Sequence, residues 1–136
     1  MIDKYQVGEG MLTEEQEIYR ENILDHYKHP HNFGAIKECT AHHRELNPLC
    51  GDELEVFLVI REGVVYDVMF TGKGCAISQA SMSMLTDKIK QMSIFDVKKM
   101  TKDDAIEMLG IPVGVARMKC ALLGLKTVQK CLEEVK

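Results

Sequence analysis

Three cysteines and one aspartate are the residues of this sequence whose types and positions suggest metal chemistry. Cys50 lies in a predicted loop, Cys75 at a predicted strand-to-helix turn, and Cys120 in the first turns of the last predicted helix. Asp52 is two residues from Cys50, close enough in the chain to reach the same ion. If these elements bring the side chains to one end of a sheet, the donor set suits zinc or iron.

The spacing of the cysteines is weak evidence by itself. Intervals of 25 and 45 residues lack the local Cys-x-x-Cys pairs of a zinc finger. Some of the five cysteines could simply be small buried hydrophobic residues. Cys131 lies eleven residues beyond Cys120, roughly 16 Å along a continuous helix, so we expect it in the core and not at a shared ion. For Cys39 we expect a partly buried spare thiol.

Hydrophobic periodicity predicts an α+β fold, in which a small antiparallel three-stranded sheet packs against helices and the metal site lies at one end of the sheet. Apolar residues alternate over 54–60 and again over 64–70, and Glu62-Gly63 between them is typical of a tight hairpin turn. A weaker strand is predicted over 41–46. The second run predicts one strand face carrying Val64, Tyr66, Val68 and Phe70.

Four helices are predicted from capping signals and a period of about 3.6 residues. The first starts at the capping box 13–16, runs for about 14 residues and ends at His29-Pro30, because the residue before proline disfavours the helical conformation. The others are predicted over 76–90, from Thr101 to Gly110, and over 115–135. We expect a single domain over 1–136, with 1–12 as a flexible amino-terminal extension.

Composition excludes several classes of function. The chain has 136 residues, 46% of them hydrophobic, and a formal net charge of -4 with acids and bases intermixed, so no basic stripe predicts nucleic-acid binding. The longest apolar run, Val56 to Ile60, is far shorter than the roughly 20 residues needed to span a bilayer. An odd number of cysteines and no export or targeting signal at the start predict a reducing compartment, the cytoplasm.

Three segments together resemble the successive signatures of the IscU/SufU family, whose members are similar to the amino-terminal domain of NifU. These segments are 27–34 (YKHPHNFG), 47–53 (NPLCGDE) and 72–81 (GKGCAISQAS). The resemblance extends over nearly the whole chain from Glu14. It implies an iron–sulfur cluster assembly scaffold that accepts sulfur from a cysteine desulfurase and hands a transient cluster, of the [2Fe-2S] type, to apo-proteins.

The resemblance also implies roles for particular residues. The ligands to iron or zinc would be Cys50, Asp52, Cys75 and Cys120, and one of the three cysteines would accept persulfide sulfur. Cys75 begins a helix, where the backbone dipole favours a thiolate. Arg117 and Lys119 would favour ionisation of Cys120, although both are equally well explained as a solvated helix face. Asp52 is a harder ligand than a thiolate and would keep the cluster transferable.

Two branches of the family differ in the segment 110–120. The IscU branch has a Leu-Pro-Pro-Val-Lys chaperone-binding motif and a histidine before the last cysteine, whereas this chain has Gly114-Val115 and Lys119 there. The resemblance therefore does not extend to chaperone binding or to a histidine ligand. Residues 116–121 (ARMKCA) are similar to the SufU branch, whose members bind zinc and accept persulfide. That branch usually carries an insertion between its second and third cysteine ligands, and this chain has none.

Three hypotheses follow for the function. The first is the assembly scaffold, the second a zinc-dependent sulfurtransferase that relays sulfur without holding a cluster, and the third a structural zinc module, which an aspartate ligand disfavours. The transfer hypotheses require a site that a partner can reach. His42 and His43 are adjacent on a predicted strand, so at most one faces the site, and we expect a surface pair. We assign His26, His29 and His31 to the first helix end and its loop.

Overall fold

The structure is a computed structural model that describes residues 13–48 and 51–135. Its elements in chain order are α1 (Glu14–Lys28), β1 (Ala41–Asn47), β2 (Asp52–Arg61), β3 (Val64–Lys73), α2 (Ala76–Ile89), α3 (Ile94–Lys98), α4 (Lys102–Leu109) and α5 (Val115–Glu133). The α+β class, the three strands and the four long helices are confirmed. The predicted extension over 1–12 lies outside the described residues.

α1 begins at the capping box that the sequence indicated. The Thr13 hydroxyl accepts the Gln16 backbone N–H at 3.1 Å, and the Gln16 side chain accepts the Thr13 N–H at 3.1 Å. The helix ends at Lys28 and is followed by Asn32, whose φ of 55° is uncommon for a residue with a side chain. Ile23 is the fully buried residue by which α1 packs against the core.

The sheet has the order β1-β2-β3, and both pairs are antiparallel. Asn47 pairs with Asp52 at one end of the β1–β2 ladder, and the Gly51 N–H donates to the Asn47 carbonyl at 2.8 Å. At the same end, Glu53 of β2 pairs with Lys73, the last residue of β3. Asp52 and the start of α2 therefore lie at one end of the sheet.

A β-bulge corrects the predicted faces of β3. Val59 pairs with Asp67 but Ile60 pairs with Val65, which leaves Tyr66 as an extra residue on β3. As a result Val65 is completely buried, whereas Tyr66 is 48% exposed. The prediction that Val64 and Tyr66 share a core face with Phe70 was wrong, because one inserted residue reverses the alternation.

α2 and α5 form the main layer over the sheet. α2 is buried along nearly its whole length, because it contacts α1, α5 and β3. One apolar cluster joins sheet and helices and includes Leu54, Val56, Leu58, Val68, Phe70, Leu85, Ile89, Val128 and Leu132. A second cluster joins α1, the first turns of α2 and α5, and the end of α4. It includes Ile23, Ile77, Ala80, Leu109, Cys120 and Ala121.

The short helix α3 is the element that the sequence did not reveal. It has five residues, fewer than the window over which helical periodicity can be recognised. The Ser93 hydroxyl caps it by accepting the Asp96 N–H at 3.0 Å, and the Ile94 N–H donates to the Gly63 carbonyl. Over the described residues, no helix is long and apolar enough to cross a membrane.

Cys131 provides a test of the core. The side chain is completely buried, and burial, with smaller contributions from Glu134 and Cys39, raises the pKa of its thiol to about 12. We expect iodoacetamide at mildly alkaline pH to leave Cys131 unmodified in the folded protein and to alkylate the partly buried Cys39 much faster, as measured by peptide mass mapping. Denatured protein is the control, where both should react. Equal rates in the folded protein would contradict this packing.

Candidate metal centre

Three elements bring Asp52, Cys75 and Cys120 together at the end of the sheet. Asp52 is the first residue of β2, Cys75 immediately precedes α2, and Cys120 lies in the second turn of α5. One carboxylate oxygen and the two sulfur atoms all lie within 4.8 Å of one another. The structure therefore places these three predicted ligands in one cluster.

The Asp52 carboxylate joins the sheet to the start of α2. It is fully buried, and its Oδ1 accepts the Cys75 backbone N–H at 2.8 Å, while its Oδ2 lies 3.9 Å from the Cys75 sulfur. α2 has no hydrogen-bonded side-chain cap from Cys75 itself. A carboxylate at this position satisfies one N–H at the helix start and complements the positive end of the helix dipole.

Two glycines make this contact geometrically feasible. Gly74 has a φ of 144°, and a methyl group built on it would overlap the Asp52 carboxylate. A methyl group on Gly72 would overlap the Glu53 carbonyl and the Leu54 side chain. Glycine is thus needed at both positions, because β2 passes directly against them.

Cys120 is buried on the opposite side of the cluster. Its exposed fraction is zero, and the side-chain amide of Asn47 lies 4.0 Å from its sulfur. Asn47 is itself 6% exposed and pairs with Asp52 in the sheet.

Two residues beside the cluster were missed by the sequence analysis. Asn47 enters the sequence patterns only as the first residue of the segment 47–53. Ser78 had not been singled out; its hydroxyl donates to the Cys75 carbonyl at 3.0 Å and lies 3.8 Å from the Cys75 sulfur. A serine three residues after a helix-starting cysteine is a signal that could have identified it.

The other predicted site residues have different positions. Cys50 lies outside the described residues, so its role as a ligand stays a prediction. Arg117 is half-buried one helical turn before Cys120, and Lys119 is exposed. His42 is an exposed partner of Glu55, and His43 pairs with Glu45, as expected of surface histidines.

Access to the cluster is unequal. Cys75 is partly exposed, whereas Asp52 and Cys120 are buried. Cys75 meets the expectation that a partner can reach the site. A reagent could reach Cys120 only if the surrounding elements moved. Among the described ligands, Cys75 is therefore the first that a partner can contact.

The donor set fits zinc or iron. Thiolates bind zinc at about 2.3 Å and carboxylates at about 2.0–2.2 Å, so ligand atoms around one ion are roughly 3.5–4 Å apart. The observed cluster, within 4.8 Å, needs to contract by only about 1 Å to reach that spacing. Mixed sulfur and oxygen ligation by three residues also leaves a coordination position for a further ligand.

Comparison with known proteins identifies the class to which this fold and cluster belong. The family model of the NifU-like N terminal domain matches residues 18–136. The chain therefore belongs to the family of NifU-like amino-terminal domains.

Particular relatives fall in both branches of this family. The zinc-dependent sulfurtransferase SufU of Bacillus subtilis is 35% identical over 130 residues, which covers 83% of this chain and 88% of that protein. The iron–sulfur cluster assembly scaffold protein IscU 1 of Archaeoglobus fulgidus is 28% identical over 115 residues, 85% of this chain and 74% of that protein.

Solved structures show the same fold. A nitrogen-fixing NifU-like protein (N-terminal) from Brucella abortus superposes with a TM-score of 0.73 at 26% identity, over 88% of this chain and 95% of that one. A protein assigned as an iron–sulfur cluster assembly scaffold for the SUF system of Fervidobacterium islandicum AW-1 has a TM-score of 0.69 at 27% identity, covering 86% and 98%.

The close approach of Gly74 to Asp52 predicts a difference between two glycine substitutions. Gly63→Ala introduces a side chain at a φ of 73° with open space around it, which should cost about 1–2 kcal/mol. Gly74→Ala also displaces the buried carboxylate and should cost roughly 1–3 kcal/mol more. Urea unfolding of both variants measures the difference in free energy of unfolding. Equal losses would show that Asp52 does not pack against Gly74.

Proposed function

We propose that this chain is an assembly scaffold for iron–sulfur clusters. It accepts sulfur from a cysteine desulfurase, binds iron through Cys50, Asp52, Cys75 and Cys120, and hands a labile cluster to apo-proteins. The observation that supports this proposal is the convergence of a buried carboxylate and two cysteine sulfurs from three elements. Relatives named as iron–sulfur cluster assembly scaffolds add support.

Chain connectivity supports Cys50 as the fourth ligand. Consecutive Cα atoms are 3.8 Å apart, so the Cα atom of Cys50 is at most about 7.6 Å from that of Asp52 in any conformation. The pairing of Asn47 with Asp52 and the hydrogen bond from Gly51 to Asn47 also keep this connection short. A cysteine this close to Asp52 is within reach of the same ion.

The sulfur transfer that we propose is a thiolate exchange. A site thiolate attacks the outer sulfur of a persulfide on the desulfurase, a new S–S bond forms, and the desulfurase cysteine leaves as a thiolate. An external electron donor then reduces the bound sulfane sulfur to sulfide as iron binds. Thiolates persist in a reducing compartment, so we expect this chemistry in the cytoplasm.

A second candidate is a zinc-dependent sulfurtransferase, which carries sulfur and holds no cluster. The 35% identity to SufU and the presence of Lys119 before Cys120 favour it. Zinc would hold the thiolates in place until the desulfurase docks. One observation is against this candidate. The alignment with SufU is 130 residues long, but it includes only 83% of this 136-residue chain. Some SufU residues within the alignment therefore have no counterpart here.

Anaerobic cluster assembly separates the two candidates. Purified protein is incubated with ferrous iron, cysteine, a cysteine desulfurase and a reductant, and absorption is followed before and after addition of an apo-ferredoxin. We expect a cluster to form and transfer. Cys75→Ser should abolish formation, because it removes a ligand, whereas Cys39→Ser should form clusters normally because Cys39 lies outside the ligand cluster. Zinc-dependent stimulation of the desulfurase without any cluster would instead establish the relay.

The role of Asp52 gives a separate prediction. Removing the carboxylate should slow transfer to the apo-ferredoxin several-fold, because the remaining ligands are softer and hold the cluster more firmly. Asp52→Ala also deletes the acceptor for the Cys75 N–H, whereas Asp52→Asn can retain it. Slower transfer in both variants would assign the effect to the carboxylate. Transfer as fast as in the wild type would refute the role.

A further inference from the structure

A second group of potential ligands lies where α1 and its following loop meet the end of α2. One atom each from His26, His31 and Asp87 lies within 4.8 Å of the others. Asp87 is twelve residues after Cys75 along α2, about 18 Å along the helix axis, so the two groups cannot share an ion. Neither the scaffold function nor the sulfurtransferase function considered above uses these three residues.

A hydroxyl group fixes both histidines. The Ser83 Oγ lies 2.7 Å from His26 Nδ1 and accepts the backbone N–H of His31 at 2.8 Å. Ser83 thus holds the ring of His26 and the backbone of His31, and the two imidazole centroids are 4.3 Å apart. A histidine ligand commonly uses its second ring nitrogen for such an outer hydrogen bond, which orients the ring.

Asp87 is also held by neighbours. Asn32 donates to Asp87 Oδ1 at 2.9 Å and to the Thr86 hydroxyl at 3.0 Å. Lys90 in turn donates to the Asn32 side-chain oxygen at 2.7 Å. Asn32 makes these contacts from a backbone conformation with a φ of 55°. The backbone at Asn32, and not only its side chain, is therefore part of the arrangement that holds Asp87.

The burial of the three groups is graded. His26 is 6% exposed, whereas the side chains of His31 and Asp87 are 47% and 46% exposed. One ligand would thus be fixed inside the protein while two can adjust from the surface side. An ion from solvent can reach the cluster without opening the core.

The geometry is close to that of a three-ligand metal site. His31 Nδ1 and Asp87 Oδ2 are 2.6 Å apart, within hydrogen-bond distance. Nitrogen and oxygen ligands at about 2.1 Å from one ion lie roughly 3–3.5 Å apart. On metal binding the hydrogen-bonding proton between them would leave to solvent, and the two exposed side chains would move apart by about 1 Å as the ion takes its place.

We propose that His26, His31 and Asp87 form a second metal site, which binds one divalent first-row ion such as Zn²⁺ or Fe²⁺. Two imidazoles and one carboxylate are a donor set typical of these ions, with open positions left for water. The site contains no sulfur, so it differs in ligand chemistry from the cysteine cluster. The proposal does not depend on the function proposed above.

Titration with Zn²⁺ alone tests this site in the reduced, metal-free full-length chain. Calorimetry should show two equivalents in the wild type. Nitrogen-15 NMR of the histidine rings should show shifts at His26 and His31 on filling of the second site, with His29, His42 and His43 unchanged. Asp87→Asn, which keeps the shape of the side chain, should weaken this site at least tenfold.

Matched variants separate the two sites. Cys75→Ser should lose or weaken the cysteine site and keep the shifts at His26 and His31. His42→Ala should keep both equivalents, because His42 pairs with the carboxylate of Glu55 at 3.2 Å but belongs to neither ligand group among the described residues. In the wild type, shifts at His26 and His31 without any binding at the cysteines would contradict the proposed function and leave this proposal intact.

The ring spectra of the wild type decide the matter even if a variant fails to fold. Binding of a single equivalent with no shift at His26 or His31 would overturn the proposal, and the cluster would then be a hydrogen-bonded joint between α1 and α2. Shifts at His42 or His43 in their place would overturn it as well.

Discussion

The hydrogen bond from the Cys75 backbone N–H to the Asp52 carboxylate is the interaction on which the ligand cluster depends. It joins the first residue of β2 to the start of α2 and holds both side chains toward the same point. Burying a carboxylate is costly unless its oxygens are satisfied, and the helix start provides an N–H and a favourable dipole. The same contact requires glycine at position 74, so backbone conformation, capping and ligand geometry are determined together.

The apolar core positions Cys120, the third residue of the cluster, beside Asp52 and Cys75. α5 packs against β1, β2 and α2, and its buried face carries Cys120 along with Ala121 and Val128. The Cys120 side chain is therefore positioned by ordinary hydrophobic packing and not by a local loop motif. This explains why Cys75 and Cys120, 45 residues apart, can lie in one cluster with Asp52 without the short spacing of a zinc finger.

Sequence patterns predicted the features that depend on periodicity and capping, but not those that depend on single contacts across the fold. The helix over 76–89 follows from the helical spacing of apolar residues, and the hairpin strands follow from their alternation. The bulge at Tyr66 could not be predicted, because Val64 and Val65 are both apolar and either could face the core. The approach of Asn47 to Cys120 and of Asp87 to His31 joins residues more than fifty positions apart, which no local pattern reveals.

The origin of the ligands on β2, α2 and α5 has a consequence for the lifetime of the protein in the cell. An ion bound to all three elements links the folded state to metal supply by mass action, and a free concentration one hundred times the dissociation constant adds about 2.7 kcal/mol to stability. Without such an ion the chain would open more often at this end of the sheet and would offer proteases a larger unfolded fraction. Abundance of the protein would then follow the availability of its metal.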